Sequence, residues 1–65
     1  MKYCNTDKDQ KKHCHVFKEG VYKGFETDGE LSINYSPMIK KWIKESKTEK
    51  DLASFLLKAD FKQIL

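Results

Sequence analysis

Two histidines bracket a cysteine in the stretch KKHCHVF, residues 11–17, and a second cysteine, Cys4, lies upstream of Cys14. Imidazoles and thiols are the side chains of zinc sites, reactive nucleophiles and disulfides, so spacing has to decide among them. On a strand, successive side chains alternate between faces. His13 and His15 then share one face, and Cys14 points to the other with Val16. Zinc held by His13, His15 and Cys4 would have three protein ligands, where a closed structural site takes four. The paired-cysteine spacing of a zinc knuckle is also missing. A Cys4–Cys14 disulfide could close across a hairpin, but with no leader segment the chain is expected in a reducing cytosol, where such bonds are rare. As a nucleophile, Cys14 lacks an activating base, because its histidine neighbours point away from it. The expectation is a plain strand with Cys14 and Val16 toward the core, both histidines in solvent, and no metal or cofactor.

Other catalytic sets are no easier to assemble. No Ser/His/Asp grouping, phosphate-cradling glycine loop or convergent carboxylate pair can be named, and the three glycines are each explained by a turn or a strand. An enzyme is not expected.

At 65 residues the chain is one small domain, residues 1–65, with 1–35 mainly strands and turns and 36–65 two helices. A domain of this size buries roughly 60% of its unfolded surface, which leaves little room for a deep cavity. With 38% hydrophobic and 35% charged residues it reads as globular. The N-terminus carries no apolar leader region and no segment reaches membrane-spanning length, so a cytoplasmic protein without a membrane partner is expected.

All 13 basic side chains are lysine. AT-rich coding explains that bias without a function, but the physical consequence holds. Forked reading of guanine edges and clamping of phosphates belong to arginine. Lysine supplies attraction to a polyanion and little discrimination. The net charge of +3 divides as +3 over residues 1–18, −3 over 19–35, +3 over 36–47 and zero thereafter. That is a dipolar surface more than a uniformly basic coat.

The elements follow from periodicity. HCHVFKEG reads as a strand turning at Glu19-Gly20, MKYC as a short edge strand, and NTDKDQKK as a solvated loop. VYKGFETDGELSINY reads as a hairpin at Asp28-Gly29. A three-residue loop there pairs Phe25 with Leu31 and Val21 with Tyr35, with Ile33 on the same side, gathering the apolar side chains. A two-residue loop would mix polar and apolar on each face, so the longer loop is preferred. Ser36-Pro37 opens a helix with Met38, Ile39, Trp42 and Ile43 on one face. Thr48 and Asp51 form a capping box for a second, with Leu52, Phe55, Leu56 and Ala59 as its buried stripe. Past Ala59 either the chain bends near Asp60, which is preferred, or Leu57, Phe61 and Ile64 share a second, exposed apolar face.

The reading is therefore an α+β domain: an antiparallel three- to four-stranded meander followed by two helices packed on one face. The expected core is Val16, Val21, Phe25, Leu31, Ile33, Tyr35, Ile39, Trp42, Ile43, Leu52, Phe55 and Leu56. The expected function is a small non-enzymatic regulator or inhibitor acting by protein contact, of the kind phages and mobile elements often carry. Its candidate binding residues are Lys40, Lys44 and Lys47 on the first helix and its end, or Leu57, Phe61 and Ile64, which would also serve a homodimer. The alternative is a lysine-driven, weakly specific nucleic-acid binder in which Tyr3, Phe17, Tyr22 and Phe25 stack on bases.

Overall fold

A computed structural model describes residues 1–64; Leu65, the end of the predicted helical half, lies outside the described residues. Five strands and two helices form an α+β fold in the order β1 (Lys2–Thr6), β2 (Lys12–Lys18), β3 (Val21–Thr27), β4 (Glu30–Leu31), α1 (Pro37–Lys44), α2 (Glu49–Lys58) and β5 (Lys62–Ile64). The sheet order is β4-β3-β2-β1-β5, antiparallel throughout. That is five strands instead of three or four. The difference comes from the C-terminus, where the chain returns as β5 and turns β1 from an edge into an interior strand. Neither helix is long and apolar enough to cross a membrane.

Both tight hairpins are two-residue loops with two consecutive left-handed residues, Glu19-Gly20 (φ 53° and 79°) and Asp28-Gly29 (φ 51° and 87°). This turn matches the right-handed twist of paired strands, and Asp-Gly is among its preferred sequences. It pairs Thr27 with Glu30 and Glu26 with Leu31. The three-residue loop with Phe25 opposite Leu31 is therefore corrected. Turn geometry wins because β4 ends at Leu31, so Ile33 and Tyr35 never enter a ladder in which apolar matching would count.

Register assigns the faces. Tyr3 pairs with His15 and His15 with Phe25, while Phe17 meets Tyr22 across an irregularity in the β2–β3 ladder. These side chains face the helices. Lys2, Cys4, Cys14, Val16 and Glu26 occupy the opposite face, away from the helices, where Cys4, Cys14 and Glu26 are still buried at 4%, 2% and 7% exposure. The core is Tyr3, Phe17, Tyr22, Ile39, Trp42, Leu52 and Leu56, with Phe25, Tyr35, Ile43, Ala53 and Phe61 packed at its margin. Five expected core residues lie outside it: Leu31, Ile33 and Phe55 are 60%, 91% and 52% exposed, and Val16 and Val21 are only partly buried and do not join the cluster. Gly24 is needed where it stands, since its φ is +152° and a Cβ there would fall 2.5 Å from Tyr35 Oη.

The helices begin as their sequences indicate. Ser36 Oγ accepts from Ile39 N–H, and Thr48 and Asp51 exchange both bonds of a capping box. They end alike. Lys47 N–H donates to Trp42 C=O and Ser46 N–H to Ile43 C=O; Phe61 N–H donates to Leu56 C=O and Asp60 N–H to Leu57 C=O. Each is a Schellman ending, with Ser46 (φ 51°) and Asp60 (φ 67°) where glycine is usual. The second ending makes the bend expected near Asp60, and the chain leaves it as β5. Because Ser46 pays a left-handed penalty that glycine does not, Ser46→Gly is expected to raise stability by about 0.5–1 kcal/mol in urea denaturation.

The α1–α2 turn is tied to the β2–β3 turn, with Tyr22 N–H donating to Lys47 C=O and Glu49 N–H to Gly20 C=O, both at 2.8 Å. The side chain of the same Glu49 is held as well: Tyr3 Oη donates to its Oε2 at 2.6 Å and Gln63 Nε2 to the same oxygen at 3.3 Å. Burial and that carboxylate push the Tyr3 phenol up to about 12. These contacts set the position of the two helices on the sheet.

Candidate functional site

The His-Cys-His stretch lies on β2, but its faces are used differently from the expectation. Cys4 and Cys14 are directly opposite each other in the β1–β2 register and are joined as a disulfide. The expectation against that bond is corrected: a hairpin placing two cysteines as cross-strand partners brings their sulfurs together on one face. Cys4 is thereby separated from His13 and His15, which project from the other side of the sheet, so the zinc grouping is not assembled. Among the described residues, no three His, Cys, Asp or Glu side chains are grouped to hold a metal ion.

Nor are the histidines solvated. His13 is half-buried, its Nε2 2.8 Å from Asp7 Oδ2 and its Nδ1 3.1 Å from Thr27 Oγ1. Asp7 also accepts from the N–H groups of Asp9 and Lys11, ordering the β1–β2 loop. The His13 contact and these amides hold the Asp7 carboxyl below its usual range. His15 is 5% exposed, and its ring is walled by Phe61 at 4.7 Å, Phe25 at 4.8 Å, Tyr22 at 5.7 Å and Trp42 at 5.8 Å. Its Nδ1 shares a 2.8 Å hydrogen bond with Tyr22 Oη. Burial lowers the His15 pKa to about 4 and raises that of Tyr22. An imidazole and a phenol in contact could move a proton, but the surrounding rings leave a substrate no approach.

A pH dependence follows. Neutral His15 is favoured in the fold, whereas unfolded histidine takes up a proton near 6.5. Its contribution to stability is complete above about pH 6.5 and is lost progressively as pH falls toward 4. Asp7 and Asp51, both held low, act only at more acidic pH. Denaturation midpoints between pH 7 and 4.5 should therefore fall for the native protein and fall less for His15→Gln.

The helical layer offers a different kind of site. A groove of about 410 Å³ runs between α1 and α2, lined by Met38, Lys41, Trp42, Lys47, Asp51, Leu52 and Phe55. Met38 is 45% exposed, and the Phe55 ring stands edge-on to Trp42 at 5.8 Å. At 100° per residue Lys41 follows Met38 around α1, with Lys44 and Lys40 further round the exposed side. The charge blocks resolve in three dimensions. Residues 1–35 are neutral overall, their basic and acidic parts interleaved in the sheet, as in the 2.6 Å Lys2–Glu26 pair. Residues 36–58 hold six lysines against Glu45, Glu49 and Asp51, the whole net charge of the chain. Those three carboxylates are occupied by Lys47, by Tyr3 and Gln63, and by the Thr48 cap. Among the described residues Lys40, Lys41, Lys44, Lys50 and Lys58 have no ion-pair partner.

Of the sequence candidates, Lys40 and Lys44 are exposed on α1, and Lys47 lines the groove, its Nζ 3.4 Å from Glu45 Oε1. Leu57, Phe61 and Ile64 are not brought together. Leu57 is exposed on the flank of α2 away from Phe55, Phe61 packs against the core, and Ile64 stands beside Lys2 on the sheet face away from the helices. Met38, Lys41 and Phe55 are the additions sequence reasoning missed as site residues. Met38 and Phe55 were placed on buried stripes, although each lies at the margin of its apolar arc.

No protein-family model, curated protein or solved structure matches the chain. What fold and site define is a small α+β domain with a lysine-bordered apolar groove on its helical layer.

Proposed function

We propose that the protein is a non-enzymatic regulator or inhibitor that docks a protein partner on its helical layer. The observation carrying this reading is the coincidence of exposed apolar side chains, Met38 and Phe55, with residues 36–58, whose net charge of +3 equals that of the whole chain. Aromatic and methionine side chains anchor interfaces, and unpaired lysines around them favour an acidic partner and speed its approach. The buried His15–Tyr22 pair has no opening to a substrate, which favours contact over catalysis. The nucleic-acid alternative loses support, because Tyr3, Phe17 and Tyr22, three of the four rings assigned to base stacking, are core residues at 3%, 2% and 1% exposure. The disulfide favours an oxidising location, against the cytoplasmic expectation.

The test is affinity capture from a bacterial lysate by the tagged protein, with and without nuclease, eluted by rising salt. One protein recovered in near-stoichiometric amount despite nuclease, and lost when Lys40, Lys41 and Lys44 are all changed to Glu, is the expected result. Nucleic acid eluting at moderate salt would replace this reading with polyanion binding, since phosphate contacts weaken steeply with salt.

A further inference from the structure

We infer that the occupant of the α1–α2 groove is an amphipathic helix whose acidic residues lie along the flank facing α1. This rests on the docking role proposed for the helical layer and names the chemistry of its partner.

The groove walls are two helices whose interior backbone groups are bonded within each helix and whose ends are closed by caps and Schellman bonds. They offer no row of free N–H and C=O groups, so an extended strand would gain no ladder there. The exposed strand edges, β4 and β5, belong to the sheet and not to the groove. Recognition in the groove must therefore run through side chains, as when an apolar helix stripe packs between two helices. The apolar lining, with Trp42 and Leu52 buried beneath the half-exposed Met38 and Phe55, suits apolar side chains recurring at helical spacing.

Charge sets the orientation. The α1 rim carries Lys41 with Lys44 and Lys40 beyond it, none of them paired, whereas the α2 side carries Asp51, whose carboxylate is engaged by the Thr48 N–H, and the unpaired Lys58 at its far end, so the α1 side is the more positive. Acidic residues on the occupant gain on the α1 side. A second copy of this chain fits poorly, because a two-fold interface would set the same lysines of both copies against each other.

Binding is read from Trp42, the only tryptophan and a groove residue, using two synthetic peptides of about 16 residues, long enough for a helix to form on docking. Both carry a leucine stripe at helical spacing; one has glutamates along one flank and the other has lysines there. A third peptide with the acidic composition scrambled removes the stripe. The acidic striped peptide is expected to shift Trp42 emission, gain helicity, and bind at least about tenfold more tightly than either control. Changing Lys40, Lys41 and Lys44 to Glu should reverse the preference between the two striped peptides. Phe55→Asp should abolish binding while the thermal transition is retained.

Equal binding of striped and scrambled acidic peptides, or preference for single-stranded DNA of matched charge, would overturn the inference. Failure of the acidic striped peptide, when a captured protein partner is lost on Phe55→Asp, rejects the helix and leaves the docking face. Retention of that partner by Phe55→Asp rejects both.

Discussion

Trp42→Ala is expected to cost about 3–5 kcal/mol in urea denaturation, while Phe55→Ala, one helix away and in contact with it, should cost less than about 1.5 kcal/mol. Trp42 is 8% exposed and lies edge-on to Tyr22 and His15, so truncation opens a cavity among rings that cannot collapse onto it. Phe55 is 52% exposed and stands at the lip of the groove, where water already reaches much of its ring. The sequence reading ranked the two together. A similar loss from both would put Phe55 back on the buried stripe and remove the groove's outer wall.

Opening the Cys4–Cys14 disulfide should cost about 2–4 kcal/mol. The bond closes a loop of ten residues' separation, and on chain-entropy grounds a loop that short accounts for about 2.5–3 kcal/mol. It also secures β1 to β2, and β1 in turn supplies the ladder for β5, so the C-terminal strand should weaken with it. Melting with and without a phosphine reductant, beside the Cys4→Ala/Cys14→Ala variant, measures the effect. The reduced protein and the variant should melt together, below the oxidised form, with faster amide exchange at residues 62–64. Identical melting with and without reductant would mean the bond contributes nothing to the native state.

Local chemistry was legible where short-range rules decide the outcome. The Ser36-Pro37 start, the Thr48–Asp51 capping box and the turn at Glu19-Gly20 need only neighbours in sequence and stand as read; the turn at Asp28-Gly29 was placed correctly but given one loop residue too many. The α+β class followed from the same signals. Long-range partners were harder. β5 is a three-residue strand without an alternating pattern of its own, and only the Schellman ending at Asp60 turns it toward β1. On β2, Cys14 is buried as expected, at 2% exposure, but the face assigned to solvent is the one that packs against the helices, with His15 at 5%. Phe17, two and four residues from His15 and His13, was the contrary signal, and as the largest apolar side chain on the strand it places both histidines with the core. Those histidines could be accommodated because Tyr22, Asp7 and Thr27 receive their ring nitrogens, partners that no spacing along one strand reveals.

The candidate site was half legible. Lys40 and Lys44 belong to the charged layer as read, but their significance depends on the cancellation of charge elsewhere in the sheet. The apolar part was misplaced: the bend at Asp60 scatters Leu57, Phe61 and Ile64, and the margin residues Met38 and Phe55 remain exposed instead.

The most direct test compares two aspartate substitutions on opposite flanks of α2. Affinity for the captured partner is measured by titration for the native protein, Phe55→Asp and Leu57→Asp, both positions being about half exposed. Docking in the groove predicts a loss of at least about tenfold for Phe55→Asp and little change for Leu57→Asp. Equal losses, or a loss confined to Leu57→Asp, would place the partner elsewhere and contradict the helical groove as the binding site.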